Sequence, residues 1–222
     1  MKMKVLGSGS DGNCIILTDD TGHQIMLDCG LKSNIIVPNV EFHMLDCILI
    51  THAHQDHLKG ADYFKKFYVD MLTWGNVEDG KRVTKGNWQI LPMRLVHNVE
   101  CFGFLIYNKI EKKKILYVTD TTFIPNLSTK LLDLCIIECN YDEDVFYAFA
   151  EQDRLTNNGC LNHLSKQQLL EYFEMYPDLK IKNLVLSHLS RSGLVNFKTL
   201  TSEFSQFADN VLIALKGAEL SV

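Results

Sequence analysis

Short apolar segments alternate with amphipathic segments along almost the whole chain. Apolar runs rich in β-branched and aromatic residues predict strands, at 14–18, 24–28, 46–50, 66–70, 88–96, 101–107, 114–119, 134–138, 183–187 and 211–215. Apolar residues at helical spacing predict helices, over 58–67, 126–132, 143–150, 165–175 and 197–208. Because strands and helices are interleaved, the pattern predicts an α/β or α+β protein.

The start of the helix over 165–175 has a clear sequence signature. Ser165 is followed three residues later by Gln168, as in a capping box, and Pro177 ends the segment. The chain has no internal repeat, no low-complexity tract and no linker rich in Pro, Gly or Ser. We therefore predict a single domain over residues 1–222.

Composition narrows the class and location of the protein. The 222 residues are 46% hydrophobic and 22% charged, which is typical of globular proteins and excludes a disordered chain. The seven cysteines are scattered and mostly lie within apolar runs, which is typical of reduced, buried thiols. No apolar stretch approaches the roughly 18 residues of a membrane span, and no signal peptide is apparent. The prediction is a cytoplasmic protein without a membrane partner.

Charge limits how the protein can bind nucleic acid. The net charge is −5 and only four residues are arginine, so binding by bulk electrostatic attraction to phosphates is excluded. The basic run Lys109–Lys114 separates two predicted strands and has two interpretations, a solvated hairpin turn or a phosphate-binding patch. An anionic substrate is still compatible with this chain if a metal supplies the positive charge.

One segment carries an unusual density of metal-ligand side chains. Residues 51–57, which read THAHQDH, follow the predicted strand 46–50. Imidazole and carboxylate are the expected ligands of zinc, iron or manganese, and His52 and His54 are spaced so that one loop can present both to one ion. Asp56 and His57 could hold a second ion nearby. The alternative is a polar surface loop that happens to be rich in histidine.

Three further ligand-type residues follow predicted strands. Taken singly, His97 and His188 could be hydrogen-bonded core histidines, and Asp120 could be a turn residue. Taken together with residues 52–57, they complete two sets of ligands and predict two metal ions. The first set is His52, His54 and His97; the second is Asp56, His57 and His188; Asp120 lies between the two as a bridge.

The motif His-x-His-x-Asp-His, followed by single His, Asp and His residues after later strands, resembles the metallo-β-lactamase fold superfamily over essentially the whole chain. The resemblance implies a four-layer αβ/βα sandwich of two mixed β-sheets flanked by helices. Segments 6–14, 138–144, 163–165 and 187–190 are similar to the bacterial WalJ-type exonuclease family. Tyr141 departs from that family, in which a histidine is expected at this position.

The resemblance and the ligand set imply a hydrolase with two divalent metal ions, either Zn or Mn, with Fe also compatible. A hydroxide bridging the two ions would attack a phosphodiester in nucleic acid. The alternatives are a cyclic-nucleotide or other small-molecule phosphodiesterase with the same centre, and a binding protein with a degenerate site. A common dinuclear β-lactamase would have cysteine in place of Asp120, so antibiotic hydrolysis is not expected.

Three residues, one of them the ligand Asp56, are predicted to have catalytic or supporting roles. Asp56 and His163 are the expected catalytic residues; by resemblance to ribonuclease Z and its relatives, His163 would contact the scissile phosphate or protonate the leaving group. Another interpretation of His163 is a histidine that only supports the loop. Asp28 follows the strand 24–27 and is expected to hold the metal loop by hydrogen bonds.

Overall fold

The first of two β-sheets is formed by strands from both ends of the chain. The structure, a computed structural model, describes residues 1–151, 159–190 and 194–222. The strands of this sheet are β1 (Lys2–Gly7), β2 (Cys14–Thr18), β3 (Gln24–Leu27), β4 (Leu45–Leu49), β5 (Met71–Leu72) and β13 (Glu219–Ser221). Their order is β13-β1-β2-β3-β4-β5, with parallel pairing of β3, β4 and β5 and antiparallel pairing elsewhere. This sheet is therefore mixed.

The second sheet is formed by the other strands of the described chain. They are β6 (Val83–Lys85), β7 (Trp88–Leu95), β8 (Cys101–Asn108), β9 (Lys113–Val118), β10 (Leu131–Glu138), β11 (Lys180–Ser187) and β12 (Ala208–Ile213). Their order is β12-β11-β10-β9-β8-β7-β6, parallel from β12 to β9 and antiparallel from β9 to β6. The central strand β10 is an almost continuous apolar run because both of its faces are buried.

Helices cover the outer faces of both sheets. They are α1 (Ser33–Ile36), α2 (Gln55–Leu58), α3 (Ala61–Lys65), α4 (Glu143–Glu151), α5 (Lys166–Met175) and α6 (Phe197–Phe204). Short 3₁₀ turns lie at Val37–Asn39, Phe42–Met44 and Gly159–Asn162. The capping box predicted for α5 is confirmed, because the Ser165 side chain accepts from the Gln168 backbone N–H and the Gln168 side chain accepts from the Ser165 N–H.

Three apolar clusters show how the layers pack. Between the sheets, Leu17 and Ile25 of the first share one cluster with Phe104 and Ile136 of the second. On the outer side of the second sheet, the cluster includes Leu169 and Phe173 of α5 and Leu200 and Phe204 of α6. On the outer side of the first sheet, it includes Ile36 of α1 and Phe64 of α3. The predicted four-layer αβ/βα sandwich of mixed sheets is confirmed.

Two predicted elements are wrong, and each error has a local cause. Residues 66–70, predicted as a strand, form the turn between α3 and β5, where Tyr68 adopts a left-handed φ of 57°. Residues 126–132, predicted as a helix, are irregular up to Leu131, where β10 begins. Leu131 and Leu132 instead pair with the parallel strand β11, a distant partner that local spacing does not reveal.

Strands β1, β5, β6 and β13 were not predicted because each is short or broken by polar residues. The predicted helix over 58–67 is interrupted at Gly60. A Cβ at this position would lie 2.6 Å from the Leu31 carbonyl oxygen, so the chain turns where a glycine permits close approach. The remaining predicted elements agree with the structure to within a few residues at their ends.

The described helices are short. The longest, α5, has 10 residues, whereas a membrane span takes about 20. No helix in the described ranges is both long and apolar enough to cross a membrane. The six cysteines whose side chains are described are all free and buried, as the sequence predicted, at positions 14, 29, 47, 101, 135 and 139.

Backbone hydrogen bonds join the loops after β1, β3 and β4. The Asn13 N–H donates to the Asp56 carbonyl oxygen (2.7 Å), and the Gly30 N–H donates to the Asn13 carbonyl oxygen (2.8 Å). Gly30 lies so close to this junction that a Cβ there would be 1.6 Å from the Asp56 carbonyl oxygen. The histidine-rich loop is therefore locked against the other two loops by backbone contacts.

Replacing Gly30 by Ala should destabilise the protein because the added methyl group meets backbone rather than a flexible side chain. We expect a loss of about 3 kcal/mol in the free energy of unfolding, measured by urea denaturation. Gly75→Ala is the matched control, since its nearest neighbour would be the Thr73 hydroxyl at 3.9 Å. Equal stability of the two variants would contradict this account of the loop junction.

Candidate metal centre

The predicted site residues converge at one edge of the sandwich. The loop 51–57 follows β4 of the first sheet, while His97, Asp120 and His188 follow β7, β9 and β11 of the second. These three second-sheet strands run in the same direction, so their carboxyl ends lie at the same edge. Ligands commonly bind at such edges because the chain there leaves the sheet in loops.

The first predicted ligand set is assembled in the structure. Potential ligand atoms of His52, His54 and His97 all lie within 4.8 Å of one another. His52 Nε2 is 2.9 Å from His54 Nδ1, and the rings of His52 and His97 have centroids 5.0 Å apart. Two of these side chains come from the loop after the first sheet and one comes from the second sheet.

The second predicted set is assembled beside the first. Ligand atoms of Asp56, His57 and His188 lie within 4.8 Å of one another. Asp56 Oδ2 is 3.4 Å from His57 Nε2 and 3.8 Å from His188 Nε2. This set also draws on both sheets, since Asp56 and His57 follow β4 and His188 follows β11.

Asp120 lies between the two sets. Its Oδ2 is 3.2 Å from His57 Nε2 and 3.6 Å from His188 Nε2, and its Oδ1 is 4.0 Å from His97 Nε2. The structure therefore places this carboxylate within reach of both groups of ligand atoms, as expected for a bridging residue.

Unpaired ring nitrogens show that these side chains fit metal ions. In the described ranges, three buried side-chain atoms have no hydrogen-bond partner, and two of them are His97 Nε2 and His188 Nε2. Leaving a buried polar atom unpaired costs about 1–3 kcal/mol, so such atoms normally have a ligand. The donor set of imidazole and carboxylate suits Zn, Mn or Fe. The residues present thus fit two divalent cations.

Hydrogen bonds at Nδ1 turn Nε2 of three histidines towards the centre. His57 Nδ1 lies 2.7 Å from Asp28 Oδ2, and His97 Nδ1 lies 3.2 Å from the Asn162 carbonyl oxygen. His52 Nδ1 lies 3.0 Å from the Thr51 hydroxyl, which donates to Asp28. Metal-binding histidines are typically oriented in this way by a partner on the other ring nitrogen.

Asp28 is the fully buried hub of these hydrogen bonds. Its carboxylate accepts from the Thr51 backbone N–H (2.8 Å) and from the Tyr117 hydroxyl (2.6 Å), in addition to its contact with His57. The structure thus places Asp28 where the sequence predicted, holding the histidine-rich loop. Thr51 and Tyr117 were not predicted, because nothing in their local sequence distinguishes them from core residues.

Backbone strain is concentrated at the same place. Five non-glycine residues of the described chain have a left-handed φ, and three of them are Asp28 (57°), Asp120 (55°) and His188 (50°). Each such residue costs of order 1–3 kcal/mol, and clusters of them typically mark functional sites. His188 is further fixed by its backbone, whose N–H donates to the Ser8 hydroxyl and whose carbonyl accepts from the Asn140 amide, both at 2.8 Å.

His163 lies beside the ligand sets without being needed to complete either. Its Nδ1 is 3.0 Å from Glu138 Oε2 and 3.5 Å from Asp120 Oδ1, and its ring stacks on His188 at 5.0 Å. Burial lowers the pKa of His163, but the Glu138 carboxylate outweighs this effect and raises it. The imidazole can therefore hold a proton next to the centre.

Glu138 is a fully buried site residue that sequence reasoning missed. It ends β10, and its Oε1 also accepts from the backbone N–H groups of Thr121 and Leu164. Ligand-type atoms of Glu138, Asp120, His163 and His188 lie within 4.8 Å of one another. The available signal was its place at a strand's carboxyl end, the same signal that identified Asp120.

At His52, His97 and Asp120, electrostatics favour the protonation state that a metal ligand needs. Burial and the neighbouring His57 lower the pKa of His52 to about 3, and burial also lowers the pKa of His97. Burial raises the pKa of Asp120, but His188 and His57 hold it well below its usual range. His52 and His97 are thus favoured as neutral imidazoles and Asp120 as an ionised carboxylate. At His57 the effect is opposite, because the Asp28 and Asp120 carboxylates outweigh burial and raise its pKa well above the usual value.

His23 and His43 lie apart from the site. His23 Nδ1 contacts Asp46 Oδ1 at 3.0 Å, and His43 lies in the 3₁₀ turn Phe42–Met44. Neither belongs to any of the ligand groups formed by the described residues.

Comparison with known proteins agrees with this geometry. Residues 7–99 match the model of the metallo-beta-lactamase superfamily. This match includes the histidine-rich loop and His97. It is 27% identical to the exodeoxyribonuclease WalJ of Streptococcus pneumoniae over 233 residues, which cover 90% of this chain and 84% of the relative. The predicted resemblance to metallo-beta-lactamase superfamily hydrolases is confirmed.

Solved structures of other proteins show the same fold. The metallo-beta-lactamase fold protein YhfI of Bacillus subtilis superposes with a TM-score of 0.69 at 17% identity, covering 99% of each chain. The short form of human tRNase Z superposes with a TM-score of 0.66 at 17% identity, covering 100% of this chain and 99% of the other. At these identities the likeness establishes the fold.

The Asp28→Asn variant should bind metal more weakly, because the neutral amide no longer accepts from His57 and from Thr51 as a carboxylate does. We expect an affinity for Zn or Mn lowered by about 10–100-fold, measured by isothermal titration calorimetry after chelation. Asp46→Asn is the matched control, since it alters a carboxylate–imidazole pair outside the centre. Unchanged affinity in Asp28→Asn would remove the supporting role of Asp28.

Proposed function

We propose that this protein is a dinuclear metal-dependent phosphodiesterase that acts on nucleic acid as an exonuclease. The observation that carries the proposal is the pair of ligand sets on either side of Asp120, with the protonatable His163 beside them. The similarity to an exodeoxyribonuclease, and the fold shared with a tRNase Z, support a nucleic-acid substrate over other esters.

Each residue of the centre has a proposed part. One divalent cation would be held by His52, His54 and His97, and the other by Asp56, His57 and His188. Asp120 would contact both cations. Bound there, two divalent cations would lower the pKa of water and neutralise the charge of a phosphodiester. Asp56 is the more exposed of the two ligand carboxylates, at 24% of its side chain against 3% for Asp120, and would accept a proton from the attacking water.

His163 is proposed to serve the leaving group. Its Nδ1 is taken by Glu138, which leaves Nε2 to donate a proton to the departing oxygen or to contact the phosphoryl oxygens. Glu138 acts here as a positioning residue because it fixes the ring and favours its protonated form. With the two cations and His163 in these roles, no further cationic side chain is required at the reacting phosphate.

The net charge of −5 favours a second candidate, a phosphodiesterase of cyclic nucleotides with the same metal centre. A small substrate needs no extended basic surface, whereas long nucleic acids are usually held by clustered lysine and arginine. Hydrolysis of a 5′-labelled single strand and duplex, compared with cyclic AMP and cyclic GMP in one metal buffer, separates the two. Faster turnover of the cyclic nucleotides would overturn the exonuclease assignment.

Chelation should abolish activity, because every group proposed to activate water or bind phosphate depends on the cations. We expect close to two metal ions per chain by elemental analysis, loss of hydrolysis after EDTA treatment, and recovery with Mn or Zn. Asp120→Ala should remain inactive after the same recovery, while His23→Ala should behave like the wild-type protein. Full activity without metal would exclude this mechanism.

His163→Ala should lower kcat by roughly 10²–10⁴-fold while leaving metal content unchanged, as expected for loss of a positioned general acid. The effect on KM should be small because the group acts mainly in the transition state.

Bis(p-nitrophenyl) phosphate provides the control for this variant. Its leaving oxygen needs little protonation, so the His163→Ala defect should largely disappear with this substrate. Equal defects on both substrates would assign His163 to phosphate binding instead, and loss of metal would make it a ligand.

A further inference from the structure

Three exposed apolar side chains lie close in sequence to residues of the metal centre. Val96, Phe123 and Leu161 are exposed by 55%, 59% and 46%. Each lies within three residues of a site residue: Val96 precedes His97, Phe123 follows Asp120, and Leu161 precedes His163. We call these three residues the apolar rim.

Hydrogen bonds tie the backbone of the rim directly to the centre. The Thr122 N–H donates to the Val96 carbonyl oxygen (3.1 Å), and the Val96 N–H donates to the Thr121 hydroxyl (3.2 Å). The same hydroxyl donates to the Phe123 carbonyl oxygen (2.8 Å). On the other side, the Asn162 carbonyl accepts from His97 Nδ1. The rim is therefore held at a fixed position relative to the ligands.

The chemistry of a phosphodiester indicates what covers this rim. The metal ligands and His163 serve the charged phosphate, so the adjoining part of the substrate must be recognised by other groups. A nucleotide whose phosphate enters the centre brings its own base to the mouth. Aromatic side chains hold bases by stacking at about 1–3 kcal/mol per base and independently of base identity.

We propose that Phe123 stacks on the base of the terminal nucleotide whose phosphodiester enters the metal centre, with Val96 and Leu161 flanking that base. This inference rests on the proposed nuclease function. It specifies the form of the substrate as a strand end whose last base is unstacked from its neighbour. Phe123 is then a positioning residue, because fixing the base also fixes the phosphate against His163.

The test compares an oligodeoxynucleotide that has a normal terminal nucleotide with one that has an abasic terminal nucleotide. Phe123→Ala should raise KM for the normal strand by about 5–100-fold, the fold-change equivalent to losing one stacked base. It should not change KM for the abasic strand, which the wild-type protein should already bind more weakly. Phe123→Trp should restore the normal value because its ring also stacks.

Phe67→Ala provides the matched control. Phe67 is exposed to a similar extent, 55%, but follows α3 and contacts Phe42 and Tyr63 in the helix layer over the first sheet. This variant should keep the wild-type KM for both strands. An equal rise in KM for Phe67→Ala would show a general effect of losing an exposed aromatic residue and would overturn the assignment to Phe123.

A direct signature of stacking comes from 2-aminopurine placed as the terminal base. On rapid mixing with the metal-loaded wild-type protein, its fluorescence should fall as it stacks and then rise on release. Phe123→Ala should lack the initial fall and Phe123→Trp should retain it.

The outcomes distinguish this inference from the proposed function. If the metal-loaded wild-type protein hydrolyses no oligonucleotide, the nuclease assignment fails and the inference falls with it. If the wild-type protein hydrolyses the strand, but Phe123→Ala matches it on both substrates or keeps the fluorescence fall, the stacking role alone is overturned.

Discussion

The crowding of imidazoles and carboxylates in a buried space is the constraint on which the rest of this structure depends. His52, His57 and His188 lie almost completely out of solvent beside Asp120, and their charges must be balanced within the protein. Asp28 provides part of this balance, because its buried carboxylate accepts from His57 and organises Thr51 and Tyr117 around it. Two cations would complete it by taking the ring nitrogens that have no other partner.

The sandwich supplies the rigidity that this arrangement requires. Three residues of the site adopt a left-handed backbone conformation, which the chain tolerates only where surrounding packing fixes it. That packing comes from strands such as β10, buried on both faces, and from the backbone contacts that join Gly30, Asn13 and Asp56. The site is therefore positioned by strands and backbone contacts of the sandwich, and the loops between them carry the functional groups.

Much of this organisation could be predicted from the sequence because ligand residues occur in short motifs or directly after apolar strands. Residues 52–57 can be recognised because ligand-type side chains are dense there. Asp120 and His188 can be recognised because each follows a predicted strand. Glu138 carries the same positional signal at the end of β10 and was missed. Thr51 and Tyr117 could not be identified in this way, since their roles arise from Asp28, a neighbour that is distant along the chain. The same limit explains the helix wrongly predicted over 126–132, where pairing with β11 decides the conformation of the last residues.

The origin of the two ligand sets in different sheets has a mechanical consequence. Each set takes two side chains from the loop after β4 and one from the second sheet. A cation in either position would therefore hold the two sheets together at this edge. Separation of the sheets there and release of the cations then become one event. The lifetime of the folded protein would follow the supply of free metal by mass action, and a cell short of that metal would lose the protein itself as well as its activity.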